Sequence, residues 1–162
     1  MTSPWIESLR SVELEVPDLA LAESFYTTHW KLEVAHRDAG MLYLRGSGTD
    51  GYLLALAAGG AVPRIRRVTL RARGARALEA VAAATLQAGG AVLSPPGALQ
   101  EWTGGSGLTL RDPHGRVFQV VHGDTLAVPS QQRKDRPVRL THVVLNSHAV
   151  DATQAFLETA LG

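Results

Sequence analysis

The sequence predicts an α+β domain in which one unit, βαβββ, is used twice and then begun a third time. Three observations carry that expectation. Ser8–Val16 and Ile65–Ala72 are β-rich runs, and each is followed by a stretch with helical apolar spacing and then by three short β-rich runs. A polar, proline-flanked stretch then separates these two units from the C-terminal segment. That segment, Leu140 to Gly162, slides back without a gap onto Leu9 to Lys31. Leu140 falls on Leu9, Val143 on Val12, Leu145 on Leu14, Phe156 on Phe25 and Thr159 on Thr28, while His142 falls on Ser11.

In the first unit, Pro17-Asp18 ends the opening strand, and Asp18 is placed to cap the next helix. Leu19, Ala22, Phe25, Tyr26 and Trp30 recur at helical spacing, so one helical face is apolar. Leu32–Ala35, Met41–Leu44 and Tyr52–Ala57 are the three strands, with Gly46 to Gly51 a turn. In the second unit, Leu78, Val81, Ala82 and Leu86 mark an alanine-rich helix closed by Gly89-Gly90. Ala91–Leu93 is a short strand, Pro95-Pro96-Gly97 a turn, Gly107–Arg111 a strand, Asp112-Pro-His-Gly115 a tight turn and Val117–His122 the closing strand. The expected organisation is a domain of two modules over residues 1–123 (about 1–60 and 61–123), a linker over 124–139, and the first strand and helix of a truncated second domain over 140–162.

Composition narrows the function. The 162 residues are 45% apolar and 19% charged with net charge +1, so neither nucleic acid nor an anionic membrane is an expected partner. The arginines at 64, 66, 67, 71, 73 and 76 alternate with Ile65, Val68 and Leu70 and read as the polar face of a strand. With no cysteine there is no disulfide, thiolate metal site or cysteine nucleophile, which suits a reducing compartment. Met1-Thr-Ser-Pro-Trp-Ile-Glu has no basic segment leading into an apolar run, and the expected location is the cytoplasm.

Leu140-Thr-His-Val-Val-Leu-Asn-Ser, Phe156 to Gly162, Phe25-Tyr26 with Trp30-Lys31-Leu32, and Asp112-Pro-His-Gly-Arg-Val-Phe-Gln-Val120 together resemble the vicinal oxygen chelate superfamily. That superfamily includes glyoxalase I, bleomycin-resistance proteins and type I extradiol dioxygenases. The resemblance covers essentially the whole chain. It implies the glyoxalase/bleomycin resistance/dioxygenase fold: two βαβββ modules forming a cupped, mixed and mostly antiparallel sheet with helices outside. Two modules, a linker and the start of a further module look most like the N-terminal domain of an extradiol dioxygenase. In such enzymes the iron sits in the C-terminal domain, held by two histidines and a glutamate with open positions for a bidentate catecholate and dioxygen.

The resemblance also says where ligands would lie: at the third residue of each opening strand motif and at one residue of each closing strand. Those positions are Ser11 and Ala55 in the first module and Arg67 and Gln119 in the second, where Gln119 replaces the glutamate of the family pattern. Arginine is a fixed cation and glutamine a weak neutral ligand, so no cofactor is expected in residues 1–123. His142 occupies the opening position of the third module, and the resemblance makes it one ligand of an incomplete metal site. The remaining histidines read more simply: His114 in a turn, His122 and His148 at strand edges, His29 and His36 flanking the end of the first helix. Capping and turn roles account for Asp18, Glu23 and Asp112, and Gly104-Gly-Ser-Gly107 is a loop without the Lys-Ser/Thr of a phosphate-binding motif.

The expected function is therefore the non-catalytic N-terminal domain of an extradiol dioxygenase-like protein. No catalytic residue is expected within this chain. The whole protein would use Fe(II), or Mn(II), to cleave a small aromatic, catecholic substrate. The chain's partners would be its own missing C-terminal domain and further copies in a homo-oligomer. Two other readings stand beside it. One is a binding protein of the bleomycin-resistance type, with Trp102, Tyr43, Tyr52 and Arg67 lining a cavity. The other is a lyase or isomerase of the glyoxalase kind.

Overall fold

In a computed structural model, residues 4–162 are described; Met1 to Ser3 of the N-terminal run lie outside them. The elements take the order β1 (Ile6–Val16), α1 (Leu19–Thr28), β2 (Glu33–Asp38), β3 (Met41–Arg45), β4 (Leu54–Ala58), β5 (Arg64–Ala72), α2 (Ala75–Gln87), β6 (Ala91–Ala98), β7 (Ser106–Arg111), β8 (Val117–His122) and α3 (Val150–Leu161). This is βαβββ twice, then a helix. The strands form one mixed sheet in the order β2-β3-β4-β1-β5-β8-β7-β6. Among the described residues, no helix is long and apolar enough to cross a membrane.

Two compact units share these elements, with β1 and β5 each running from one into the other. The first comprises Arg10–Val68 and Leu126–Thr141. Here β1 runs parallel to β4, with Val12 opposite Leu54 and Leu14 opposite Leu56, while β3 pairs antiparallel with β4 and β2 with β3. β3 and β4 are buried on both faces, Leu42, Leu44, Leu54 and Leu56 on one and Tyr43, Ala55 and Ala57 on the other. The Asp18 carboxylate accepts the Leu21 N–H at 2.9 Å and so starts α1, the cap role its position predicts.

The stretch expected to be a plain linker is seated on this first unit. The β3–β4 turn presents N–H groups with no ladder partner, and the passing chain takes them. Ser47 donates to the Pro137 carbonyl at 3.0 Å and Gly48 to the Val138 carbonyl at 3.2 Å, while Ala127 and Ser130 donate back to Thr49 and Ser47. Arg136 pairs with Glu33 at 2.7 Å. The fit depends on Gly46, where a Cβ would overlap the Pro137 carbonyl oxygen.

The second unit holds Thr69–Thr125 and His142–Gly162 with the start of β1. β8, β7 and β6 form an antiparallel meander, and α2 buries Ala77, Leu78, Val81 and Thr85. Gly89 takes the left-handed conformation (φ 79°) that ends α2, as the paired glycines predict. Two expectations change here. Pro95-Pro96-Gly97 is part of β6 and not a turn; β6 ends the sheet, and its register shifts around Ser94 and Gly97 accommodate residues that cannot donate to a ladder. The run Leu140 to Asn146 forms no strand, because a strand needs a neighbour and none of the described strands runs beside it. The helix expected after it does form. Its Thr153, Phe156, Ala160 and Leu161 are buried, and Phe156 packs over Gly90, where a Cβ would lie 2.6 Å from the ring.

Replacing Gly46 with alanine should push the 126–141 segment off the turn and cost about 1–3 kcal/mol. Thermal unfolding with hydrogen exchange at Ser47 and Gly48 measures this; unchanged protection at both amides would contradict the docking.

Candidate functional site

Ser11, Ala55 and Gln119 are buried and Arg67 is half-buried, and each already has a role. In the first unit, Ser11 is buried and its hydroxyl accepts from the Arg10 guanidinium at 3.0 Å. Arg10 itself is fully buried, its guanidinium carbon 3.7 Å from the centroid of the Tyr52 ring, a cation–π contact. Tyr52 stands edge-to-face with Tyr43, centroids 4.9 Å apart, and Ala55 packs with both rings. Ala55 thus offers a methyl group where the closing strand would offer a donor atom.

Arg67 is held by Glu13, with Nη2 to Oε2 at 3.0 Å, and the other carboxylate oxygen meets Arg66 Nε at 3.3 Å. Glu15 takes Arg64 at 3.1 Å. The arginine-rich β5 is therefore matched by carboxylates on β1, which fits its reading as the polar face of a strand. In the second unit, Gln119 is buried; its Oε1 accepts from Thr69 Oγ1 at 3.3 Å and its Nε2 donates to Glu101 at 3.0 Å. Arg71 grips Asp124 through both carboxylate oxygens at 3.0 Å.

These residues do not fit a divalent cation. The hydroxyl at the first opening position is occupied by a fixed cation, and the second opening position is itself a fixed cation. One closing position carries no donor atom, and the other an amide already engaged at both ends. Among the described residues, no group of three or more histidine, aspartate or glutamate side chains is disposed to hold a metal.

His142 is exposed, in the extended segment before α3. That segment is tied down by the Asp112-Pro-His-Gly turn. Asp112 accepts the backbone N–H groups of His114 (2.9 Å) and Arg116 (2.8 Å) with one oxygen and the Arg116 guanidinium (2.8 Å) with the other. Arg116 in turn donates to the Asn146 carbonyl at 2.7 Å and to Thr153 Oγ1 at 3.4 Å. His148 comes to lie against His114, ring centroids 5.9 Å apart. His29 caps α1, its N–H donating to the Phe25 carbonyl; His36 lies within β2 and not at the helix end, near Asp38 and Tyr43. The anchoring role of Arg116 was missed in the sequence; its place directly after the turn glycine was the available signal.

A second surface feature was not anticipated. Leu14, Val16, Leu21, Phe25, Tyr26 and Ile65 line an apolar groove of about 660 Å³ beside α1. Burial against it pushes the Tyr26 phenol above its ordinary pKa.

Two βαβββ modules are the fold of the vicinal oxygen chelate superfamily, and the chain shares that fold with a solved glyoxalase and a solved extradiol dioxygenase. A Mn(II)-bound glyoxalase from Novosphingobium aromaticivorans superposes with a TM-score of 0.88 at 25% identity, over 96% of this chain and 53% of that one. The H200C variant of homoprotocatechuate 2,3-dioxygenase from B. fuscum superposes with a TM-score of 0.84 at 24% identity, over 98% of this chain and 45% of that one. The chain thus spans about half the length of either solved structure. No family model and no curated protein matches the sequence.

Glu13→Ala leaves Arg67 and Arg66 without their shared carboxylate and should cost about 2 kcal/mol, between the exposed and buried extremes for ion pairs. Urea unfolding reads this directly. A loss below about 0.5 kcal/mol, the scale of an ordinary surface change, would show the pair to be ornamental.

Proposed function

We propose that this chain is the metal-free scaffold half of a two-domain, extradiol dioxygenase-like protein, followed by the opening segment of its catalytic half. The observation that supports this most is the contrast among the three opening positions. Ser11 is engaged by a buried arginine, Arg67 is itself a cation paired to Glu13, and only His142 carries an imidazole. The match to about half the length of the solved structures agrees with it.

In this reading residues 1–123 provide packing surface and oligomer contacts. His142 supplies one ligand to Fe(II), or Mn(II), in a site whose other ligands lie outside this chain, and that site acts on a small catecholic substrate with dioxygen. We place the protein in the cytoplasm, which its lack of cysteine suits. The Arg116 contacts to Asn146 and Thr153 would then hold the chain leaving the scaffold.

The test uses a polypeptide that continues past Gly162. Loaded anaerobically with Fe(II) and then exposed to oxygen, it should turn a catechol into a yellow ring-cleaved product, and His142→Ala should abolish iron retention. Full iron content in the His142→Ala variant would sink the ligand assignment, and inactivity towards every catechol would sink the dioxygenase reading.

A further inference from the structure

Two histidines from separate stretches of the chain meet on the surface of the second unit. His114, in the Asp112-Pro-His-Gly turn, and His148, just before α3, are both exposed, and their rings stand edge to face with centroids 5.9 Å apart. Bonds that leave the rings free fix the backbone on either side. Asp112 accepts the His114 N–H at 2.9 Å, and Gly115 donates to the Asp112 carbonyl at 3.1 Å. Across from it, Arg116 holds the Asn146 carbonyl, and Ala149 donates to Ser147 Oγ at 3.1 Å. That hydroxyl shares a 2.8 Å hydrogen bond with Thr153 of α3, so His148 lies between two anchored residues. Little freedom is left for two such rings to lose on binding one ligand. The Arg116 charge, which would oppose a cation here, is neutralised by Asp112 at 2.8 Å.

We infer that His114 and His148 form a two-histidine chelate for a transition-metal dication, Zn(II), Ni(II) or Cu(II), with water in the remaining positions. Imidazole nitrogens suit these three ions, whereas Mn(II) and Fe(II) stand lowest in the affinity order. Two imidazoles on one tetrahedral ion, each nitrogen about 2.0–2.1 Å from it, place their ring centroids about 5 Å apart. Side-chain rotation of two exposed rings covers the difference from the observed spacing. Among the described residues no third histidine, aspartate or glutamate joins the pair, which makes the ion exchangeable. Bound there, it ties the segment before α3 to the turn. Neither histidine occupies a ligand position of the family pattern, and the inference is independent of the dioxygenase reading.

Isothermal titration of the untagged 162-residue chain with Zn(II) or Ni(II) chloride should show one equivalent bound, with Mn(II) at least about tenfold weaker. His114→Ala and His148→Ala, both at exposed positions, should each weaken Zn(II) binding at least about tenfold. The double variant should bind no more weakly than the worse single one, because a chelate is lost with either arm. His142→Ala should leave the affinity unchanged. Zn(II) should also raise the unfolding temperature of the wild type and of His142→Ala, but of neither site variant. Three results would overturn the proposal. One is the absence of binding. Another is several equivalents lost piecemeal, one per histidine replaced, which means an adventitious ion only. The last is an affinity that His142→Ala lowers as much as His148→Ala does.

Discussion

Glu13 is the residue on which most of the structure turns. It sits on β1, the strand that pairs in parallel with β4, and its carboxylate holds both Arg67 and Arg66 of β5. β1 in turn pairs with β4 along Val12 to Val16 and leads into α1. Ion pairs hold in this way only when they are sheltered; Glu13 is nearly buried, and its two partners satisfy both oxygens. The same carboxylate neutralises the arginine that stands where the resemblance would put a metal ligand.

The second constraint is the Asp112 turn. One carboxylate closes the turn and orients Arg116, whose guanidinium then reaches the backbone at Asn146 and the side chain of Thr153. A local motif, made by residues four apart, thereby governs where a segment some thirty residues later lies. The docking of residues 126–141 onto the β3–β4 turn works the same way, through backbone groups that a ladder leaves unpaired.

Much of this could be read in the sequence, and for identifiable reasons. Helix α1 and its Asp18 cap, the Gly89 stop, the Asp112 turn and all eight strands carry local signals: periodicity, cap chemistry and turn residues. The misreadings came where tertiary context decides. Pro95-Pro96-Gly97 looked like a turn because nothing local says that β6 is an edge strand, where prolines are tolerated. Leu140–Asn146 has β composition, but composition cannot supply a neighbouring strand. At the candidate site the sequence showed which residues occupy the ligand positions but not their partners. That Arg10 would sit buried between Ser11 and the Tyr52 ring has no periodic or motif signature. Nor could the sequence tell that the Phe25 face would stay open while the matching Phe156 face is covered.

Ser11, Arg67 and Gln119 are each engaged by other side chains, Ala55 carries no donor atom, and together they leave no place for a divalent ion. Metal analysis of the 162-residue chain, after anaerobic incubation with Fe(II) or Mn(II) and gel filtration, tests it most directly. Far less than one equivalent should be retained. One equivalent of either metal that survives a chelator wash, and that is lost on changing Gln119 or Glu13, would contradict it.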